Sequence, residues 1–123
     1  MILKENLMTT TLCLRLAAVS GFLAVALGAF GAHSLKPVLL QHQTLEVWEK
    51  AVLYHVFHTL ALLFLASRPM VSKGAALSFV LGICLFSGSL YLLAATNVRW
   101  LGAITPLGGV SFLIGWAWVF LHA

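Results

Sequence analysis

Charged side chains are scarce in this sequence of 123 residues. Only 8% of the residues are charged, whereas a soluble domain usually carries about 25%. A water-soluble protein of this length has a high surface-to-volume ratio and needs a polar outer shell. Too few charges are present to build that shell, so a soluble globular domain is excluded and lipid must cover the outside.

The basic residues do not form the clustered stripe that nucleic-acid binding requires. Lys and Arg at the ends of membrane helices lie among lipid headgroups or extend toward them. Here they occur singly, in the gaps between apolar runs, at Lys4, Arg15, Lys36, Lys50, Arg68, Lys73 and Arg99. The formal net charge of +4 is therefore typical of membrane flanks, and we expect no nucleic-acid partner.

Cysteine pairs and catalytic motifs are also missing. Cys13 and Cys84 stand in apolar runs and form no C-x-x-C pair, so we predict that they pack in the core rather than form a disulfide or metal site. The sequence contains no H-E-x-x-H, G-x-S-x-G, Walker or C-x-x-C-H element. With no nucleophile paired to a base, we expect no enzymatic activity, no metal site and no cofactor.

Apolar runs dominate what the sequence does contain, since 62% of its residues are hydrophobic. A helix needs about 17–25 residues to cross the hydrocarbon core of a bilayer. Four runs predict transmembrane helices at about residues 12–33, 44–66, 74–96 and 101–121. Short polar connections make successive helices antiparallel. We therefore predict an all-α integral membrane protein, in which residues 1–123 form one up-down-up-down bundle.

Some helix ends have alternative interpretations. The basic residues Lys4 and Arg15, the first apolar run and a small-residue cleavage site at Ala29-Phe30-Gly31 resemble a signal peptide, although the run is longer than usual for one. The second helix needs a polar lead-in, where Thr44 could be the cap. The fourth helix either starts at Pro106 with Thr105 as its cap, or starts near Leu101 and is kinked by Pro106. The connection of about residues 33–43 is predicted to lie at the membrane interface.

Small residues are spaced to let the helices pack closely. Helices in a bilayer associate through close packing, because lipid tails are as apolar as leucine. We predict that the contact points between helices include Gly21, Gly28, Gly82, Gly88, Gly108 and Gly115. A channel lined by these glycines is the alternative.

The predicted topology gathers polar residues at one end of the bundle, where helix one ends, helix two starts, helix three ends and helix four starts. We predict a polar cluster there, made of His33, Glu49, Tyr54, His58, Tyr91, Arg99 and Thr105. His58 would lie about two turns below Lys50, at a depth where ionisable residues are costly and face inward. The cluster is interpreted as structural, as a ligand or ion pocket, or as catalytic.

The basic residues also predict an orientation. Four of them, Lys4, Arg15, Arg68 and Lys73, lie on the N-terminal side, and three, Lys36, Lys50 and Arg99, lie on the other. Because Lys and Arg are enriched in cytoplasmic loops, we predict that both termini are cytoplasmic. The expected partners are membrane lipid and a second copy of the chain or another membrane protein.

Several motifs resemble those of a known family. In chain order they are Gly28-Ala-Phe-Gly-Ala-His33, Tyr54-His55 with His58, Phe86-Ser-Gly-Ser-Leu-Tyr91 and Arg99-Trp-Leu-Gly-Ala-Ile-Thr-Pro-Leu-Gly-Gly109. They resemble the YgdD-like family of small bacterial membrane proteins, a domain of unknown function with related eukaryotic transmembrane proteins. The resemblance implies a four-helix protein of the bacterial plasma membrane. It implies no activity, because none is established for the family. His55 departs from the family, in which Gln is expected there, and this argues against a metal role for His55.

Two functional hypotheses follow. The leading one is a non-enzymatic bundle that binds a partner, a lipid or a small solute at its polar end. The alternative is a small-solute or proton transporter or channel component that works as an oligomer and uses His58 as an ionisable group at depth.

Overall fold

The structure, a computed structural model, describes residues 7–122. Within that range two short strands and five helices follow one another: β1 Leu7–Met8, α1 Thr10–Ala32, α2 Lys36–His42, α3 Leu45–Ala66, β2 Val71–Ser72, α4 Lys73–Thr96 and α5 Thr105–Leu121. Helices α1, α3 and α4, and α5 together with the turn before it, are long and apolar enough to cross a membrane. The predicted all-α membrane architecture is confirmed.

Helices α3 and α4 form the centre of the bundle. Helix α1 packs along α3, α5 packs along α4, and α3 and α4 pack on each other. In the part of the chain that the structure describes, α1 and α5 make little contact with each other. This arrangement leaves one lateral groove between α1 and α4 and a second one between α3 and α5.

The two ends of the bundle are closed differently. At the N-terminal end, which we call the strand end, β1 and β2 pair antiparallel, with Leu7 opposite Ser72 and Met8 opposite Val71. At the other end, which we call the α2 end, α2 packs against α3 and α4. There the Thr44 hydroxyl donates to the Ala94 carbonyl at 2.8 Å.

Both threonines that were predicted as helix caps have other partners. Thr44 occupies the cap position of α3, but its hydroxyl makes no capping bond because it donates to α4. Thr105 is not the cap of α5, since Ile104 occupies that position and the Thr105 hydroxyl lies 2.7 Å from that of Ser89. A separate 3₁₀ turn, Arg99–Ala103, precedes α5. The helix therefore starts beside Pro106 and is not kinked by it.

Glycines allow α4 and α5 to approach closely. A side chain on Gly82 would meet the Phe112 ring, and one on Gly115 would meet the Phe79 ring at 2.6 Å. A side chain on Gly108 would meet the backbone of α4 itself. The contact with Gly108 is made at Phe86, within a π-helical turn of α4 that runs over Ile83–Ser87.

The other predicted packing glycines make looser contacts. On α1, Gly21 and Gly28 face side-chain methyl groups of α3 at 3.4 and 3.6 Å, which are ordinary contact distances. Gly88 corrects the prediction, because within residues 7–122 the one atom near its missing side chain is the Ile83 carbonyl oxygen of its own helix, at 3.9 Å. Gly88 instead lines the groove between α1 and α4.

Candidate functional site

The structure does not bring the seven residues of the predicted polar cluster together. At the α2 end, three of them are exposed: His33, Glu49 and Arg99. The α3–α5 groove is lined by Tyr54 and His58, and the α1–α4 groove by Tyr91. The seventh, Thr105, joins α5 to α4. The Arg99 guanidinium donates to the His42 carbonyl of α2 at 3.0 Å.

The α2 end of the bundle contains a groove between the end of α1, helix α2 and the start of α3. Its volume is about 270 Å³. Lys36 of α2 and Glu49 of α3 line it, and both are exposed. Gly28, Ala32 and Val52 form much of the remaining, apolar wall. One groove at the membrane boundary therefore offers a positive and a negative charge from different helices.

The floor of this groove is held in place by Trp48. The indole N–H donates to the Leu27 carbonyl of α1 at 2.9 Å, and the ring lies edge-on to that of Tyr91 with centroids 4.8 Å apart. A side chain at Gly31 would meet the indole. Trp48 is thus buried among α1, α3 and α4, and it gives the groove a fixed base.

A chain of side-chain hydrogen bonds crosses the middle of the bundle. His55 lies at the midpoint of α3. Its Nδ1 is 2.9 Å from the Tyr91 hydroxyl of α4, and its Nε2 is 3.1 Å from the Ser20 hydroxyl of α1. The Ser20 hydroxyl is in turn 2.6 Å from that of Thr59. Three membrane helices are therefore joined through one imidazole.

The direction of these hydrogen bonds follows from Thr59. The Thr59 hydroxyl donates to the His55 carbonyl at 2.8 Å, so it has no second hydrogen for Ser20, and Ser20 must donate to Thr59. Ser20 then cannot also donate to His55. In the fully bonded arrangement, therefore, Nε2–H of His55 donates to Ser20, and Nδ1 accepts from the Tyr91 hydroxyl.

His58 joins α3 to α5 through the opposite tautomer. The indole N–H of Trp116 can only donate, and it lies 3.1 Å from Nε2 of His58. Nδ1 lies 2.8 Å from the Tyr54 carbonyl, which can only accept. His58 is therefore neutral with its proton on Nδ1. Its ring stacks on that of Phe112, with centroids 3.6 Å apart and 9° between the ring planes.

His58 forms part of the α3–α5 groove, which has a volume of about 660 Å³. Aromatic rings and leucines make up most of its lining: Leu53, Tyr54, Phe57, His58, Phe86, Gly109, Phe112, Leu113 and Trp116. Both nitrogens of His58 are already engaged by protein groups. The groove therefore presents a mainly apolar surface, which suits lipid chains better than a charged solute.

Metal ligands do not cluster in the part of the chain that the structure describes. Residues 7–122 contain no group of three or more His, Cys, Asp or Glu side chains that could hold a metal ion. Every buried side-chain nitrogen or oxygen that can be described has a hydrogen-bond partner. The buried polar groups are thus arranged to bond one another across helices.

Sequence reasoning missed three members of the central network, namely Ser20, His55 and Thr59. For His55, the Gln that is expected there in the resembled family argued only against a metal role and gave no hint of a hydrogen-bond role. Ser20 and Thr59 are hydroxyl residues inside apolar runs. Side chains of this kind hydrogen-bond across helices in a membrane, and that property was the available signal.

Comparison with known proteins agrees with the architecture. A family described as a protein of unknown function (DUF423) matches residues 27–109. The chain belongs to this family. It is 46% identical over 115 residues to the UPF0382 membrane protein YwdK of Bacillus subtilis, with 88% of this chain and 92% of that protein covered. No solved structure matches the chain.

Two further relatives extend the agreement. The UPF0382 inner membrane protein YgdD of Escherichia coli is 45% identical over 123 residues, with 94% of this chain and 92% of that protein covered. The UPF0382 membrane protein SAB0533 of Staphylococcus aureus is 45% identical over 105 residues, with 82% and 85% covered. The YgdD-like resemblance and the membrane assignment are confirmed. This is a membrane protein whose family has no established activity.

Proposed function

We propose that this protein is a non-enzymatic membrane protein that binds a zwitterionic ligand, either a lipid headgroup or a small solute, in the groove at the α2 end. The observation that carries the proposal is that Lys36 and Glu49, from different helices, line one groove of about 270 Å³. Both charged side chains are exposed where they line the groove. Both charges are thus available to a ligand.

The chemistry of the groove suits a headgroup that carries both charges. A phosphate would lie beside Lys36 and an ammonium group beside Glu49, because charge-assisted hydrogen bonds are about twice as strong as neutral ones. The apolar wall at Ala32, Leu45 and Val52 would contact the first methylene groups of a lipid. Trp48 supplies a fixed floor, and a preformed site loses less entropy on binding.

The test is native mass spectrometry of the purified protein titrated with phosphatidylethanolamine, which is zwitterionic. We expect Glu49→Gln and Lys36→Met each to weaken binding by about tenfold, the value of one charged hydrogen bond. Glu46→Gln is the matched control, since Glu46 is exposed on the same helix but does not line the groove. Equal affinity of all four proteins would refute the proposal. Competition by soluble glycerophosphoethanolamine would indicate headgroup recognition rather than binding of the lipid chains.

Transport by an oligomer is the second candidate function, with His58 as the titrating group. Using His58 in this way would break its bonds to Tyr54 and Trp116, which join α3 to α5, so we favour binding. Proteoliposomes decide between the two. If vesicles with the protein take up solute or protons faster than protein-free vesicles, and His58→Phe abolishes this uptake, transport would be favoured over binding.

We also infer that both termini face the cytoplasm. The support is the count of four basic residues on the N-terminal side against three on the other, and Lys4, one of the four, lies outside the described residues. Topology reporters fused at the C-terminus test this. Fluorescence of a fused green fluorescent protein is expected, and activity of a fused alkaline phosphatase would show the reverse orientation.

A further inference from the structure

The strand end of the bundle contains a compact pocket that the proposed function does not use. It lies where α3 ends, α4 starts and α5 ends, and its volume is about 120 Å³. Its lining includes Phe64, Arg68, Met70, Ser72, Trp118 and His122. The pocket thus brings a cation, a hydroxyl, an imidazole and an indole together at the membrane boundary.

Three of these side chains leave hydrogen-bonding capacity for a ligand. The Ser72 hydroxyl oxygen accepts from the Ala75 backbone N–H at 3.3 Å, so the Ser72 hydrogen remains available. Nδ1 of His122 is 3.1 Å from the Trp118 carbonyl and must donate to it, which leaves Nε2 of the neutral ring free to accept a hydrogen bond but not to donate one. The guanidinium carbon of Arg68 lies 5.8 Å from the Phe64 ring centroid, and that contact positions the charge without using its N–H groups.

The charge around the pocket favours an anion. The basic residues described at the strand end are Arg15, Arg68 and Lys73, whereas the two described carboxylates, Glu46 and Glu49, lie at the α2 end. Anionic lipids attract basic residues near the membrane surface. An arginine is also the side chain best suited to hold a phosphate.

We propose that this pocket binds the phosphate group of an anionic phospholipid. Arg68 supplies the positive charge, Ser72 donates a hydrogen bond, and Trp118 lies at the headgroup level, where tryptophans are enriched. Met70, which is exposed, extends the apolar rim toward the lipid chains. The site differs from the groove at the α2 end in place and in charge, so either can fail without the other.

The test is a titration of the purified full-length protein with phosphatidylglycerol, followed by native mass spectrometry. We expect Arg68→Gln to weaken binding by about tenfold, the change that loss of one charged hydrogen bond produces, and Arg68→Lys to weaken it less. Lys73→Gln is the control, since it removes the same charge from a neighbouring residue outside the pocket and should change the affinity less than about twofold. Equal losses for Arg68→Gln and Lys73→Gln, or no loss for either, would overturn the proposal.

Inorganic phosphate separates the two sources of the same chemical group. If millimolar phosphate does not displace phosphatidylglycerol, the lipid is the ligand, as proposed. The opposite result has two parts: inorganic phosphate binds to the wild-type protein but not to Arg68→Gln, and phosphatidylglycerol binds equally to the wild type and to Arg68→Gln. In that case the pocket binds a soluble anion and the lipid assignment is wrong. Thermal unfolding of each variant identifies any that fail to fold, and Arg68→Lys then provides the comparison.

Discussion

His55 and His58 lie one turn apart on α3 and carry their ring protons on opposite nitrogens. His55 donates from Nε2 to Ser20 of α1, whereas His58 accepts at Nε2 from Trp116 of α5. Their hydrogen bonds leave α3 in different directions. Together they join α3 to each of the other three membrane helices, so each of these polar side chains has hydrogen-bond partners at this depth.

His55→Gln should preserve the central network. The Gln amide has one accepting oxygen and an NH₂ donor, and this pair matches the accepting Nδ1 and donating Nε2–H of His55. We expect the free energy of unfolding to change by less than about 1 kcal/mol in His55→Gln, but His55→Leu to lose about 1–3 kcal/mol because two interhelical bonds disappear. Unfolding in mild detergent measures both. Equal losses would show that the amide does not replace the imidazole.

The bond between His58 and Trp116 can be measured with a double-mutant cycle. Trp116→Phe removes the donor and leaves Nε2 of His58 unpaired, while His58→Phe removes the acceptor and keeps an aromatic ring against Phe112. We expect a coupling energy of about 1 kcal/mol, which is typical of an interhelical hydrogen bond in a membrane. Strictly additive losses would mean that the 3.1 Å contact contributes no stability.

Gly108→Ala should be much more damaging than Gly28→Ala. The new methyl group at residue 108 meets the backbone of Phe86, which cannot rotate away, whereas at residue 28 it meets a Val52 methyl group at 3.6 Å. We expect losses of about 1–3 kcal/mol for Gly108→Ala and less than about 0.5 kcal/mol for Gly28→Ala. The two melting temperatures in detergent provide the comparison, and similar values would contradict the predicted α4–α5 contact.

Gly31 and Trp48 should compensate for each other. A methyl group at Gly31 overlaps the indole, so Gly31→Ala is expected to cost about 1–3 kcal/mol. Trp48→Ala removes the overlapping ring as well as the bond to Leu27. The double variant should therefore be more stable than the sum of the two losses implies, by about 1 kcal/mol. Additivity would place the indole elsewhere in the protein.

The sequence predicts the membrane helices better than it predicts their faces. Helix spans follow from long apolar runs, because only a helix satisfies its own backbone hydrogen bonds within lipid. Within a span, however, residues toward lipid and residues toward the core are equally apolar. Phe22 of α1 is 75% exposed, whereas Cys13 of the same helix is fully buried. Both side chains are apolar, so their hydropathy does not predict which one faces lipid.

The polar cluster was only partly predictable for a related reason. Topology places Glu49, Tyr91 and Thr105 nearer one end of the bundle, but the neighbour of each side chain depends on how the helices are rotated. The α1–α4 and α3–α5 grooves separate Tyr91 from His58, and antiparallel order alone does not contain that information. Polar side chains within the spans would have been the better guide, since each must find a partner there.

The π-helical turn Ile83–Ser87 sets the register of everything that follows it in α4. A π turn accommodates one more residue than an α-helical turn, and one residue corresponds to about 100° of rotation around a helix. Without the π-helical turn, the Tyr91 side chain would point away from His55, and the Ser89 hydroxyl would no longer lie beside that of Thr105. A single extra residue therefore aligns the second half of α4 with α3 on one side and with α5 on the other.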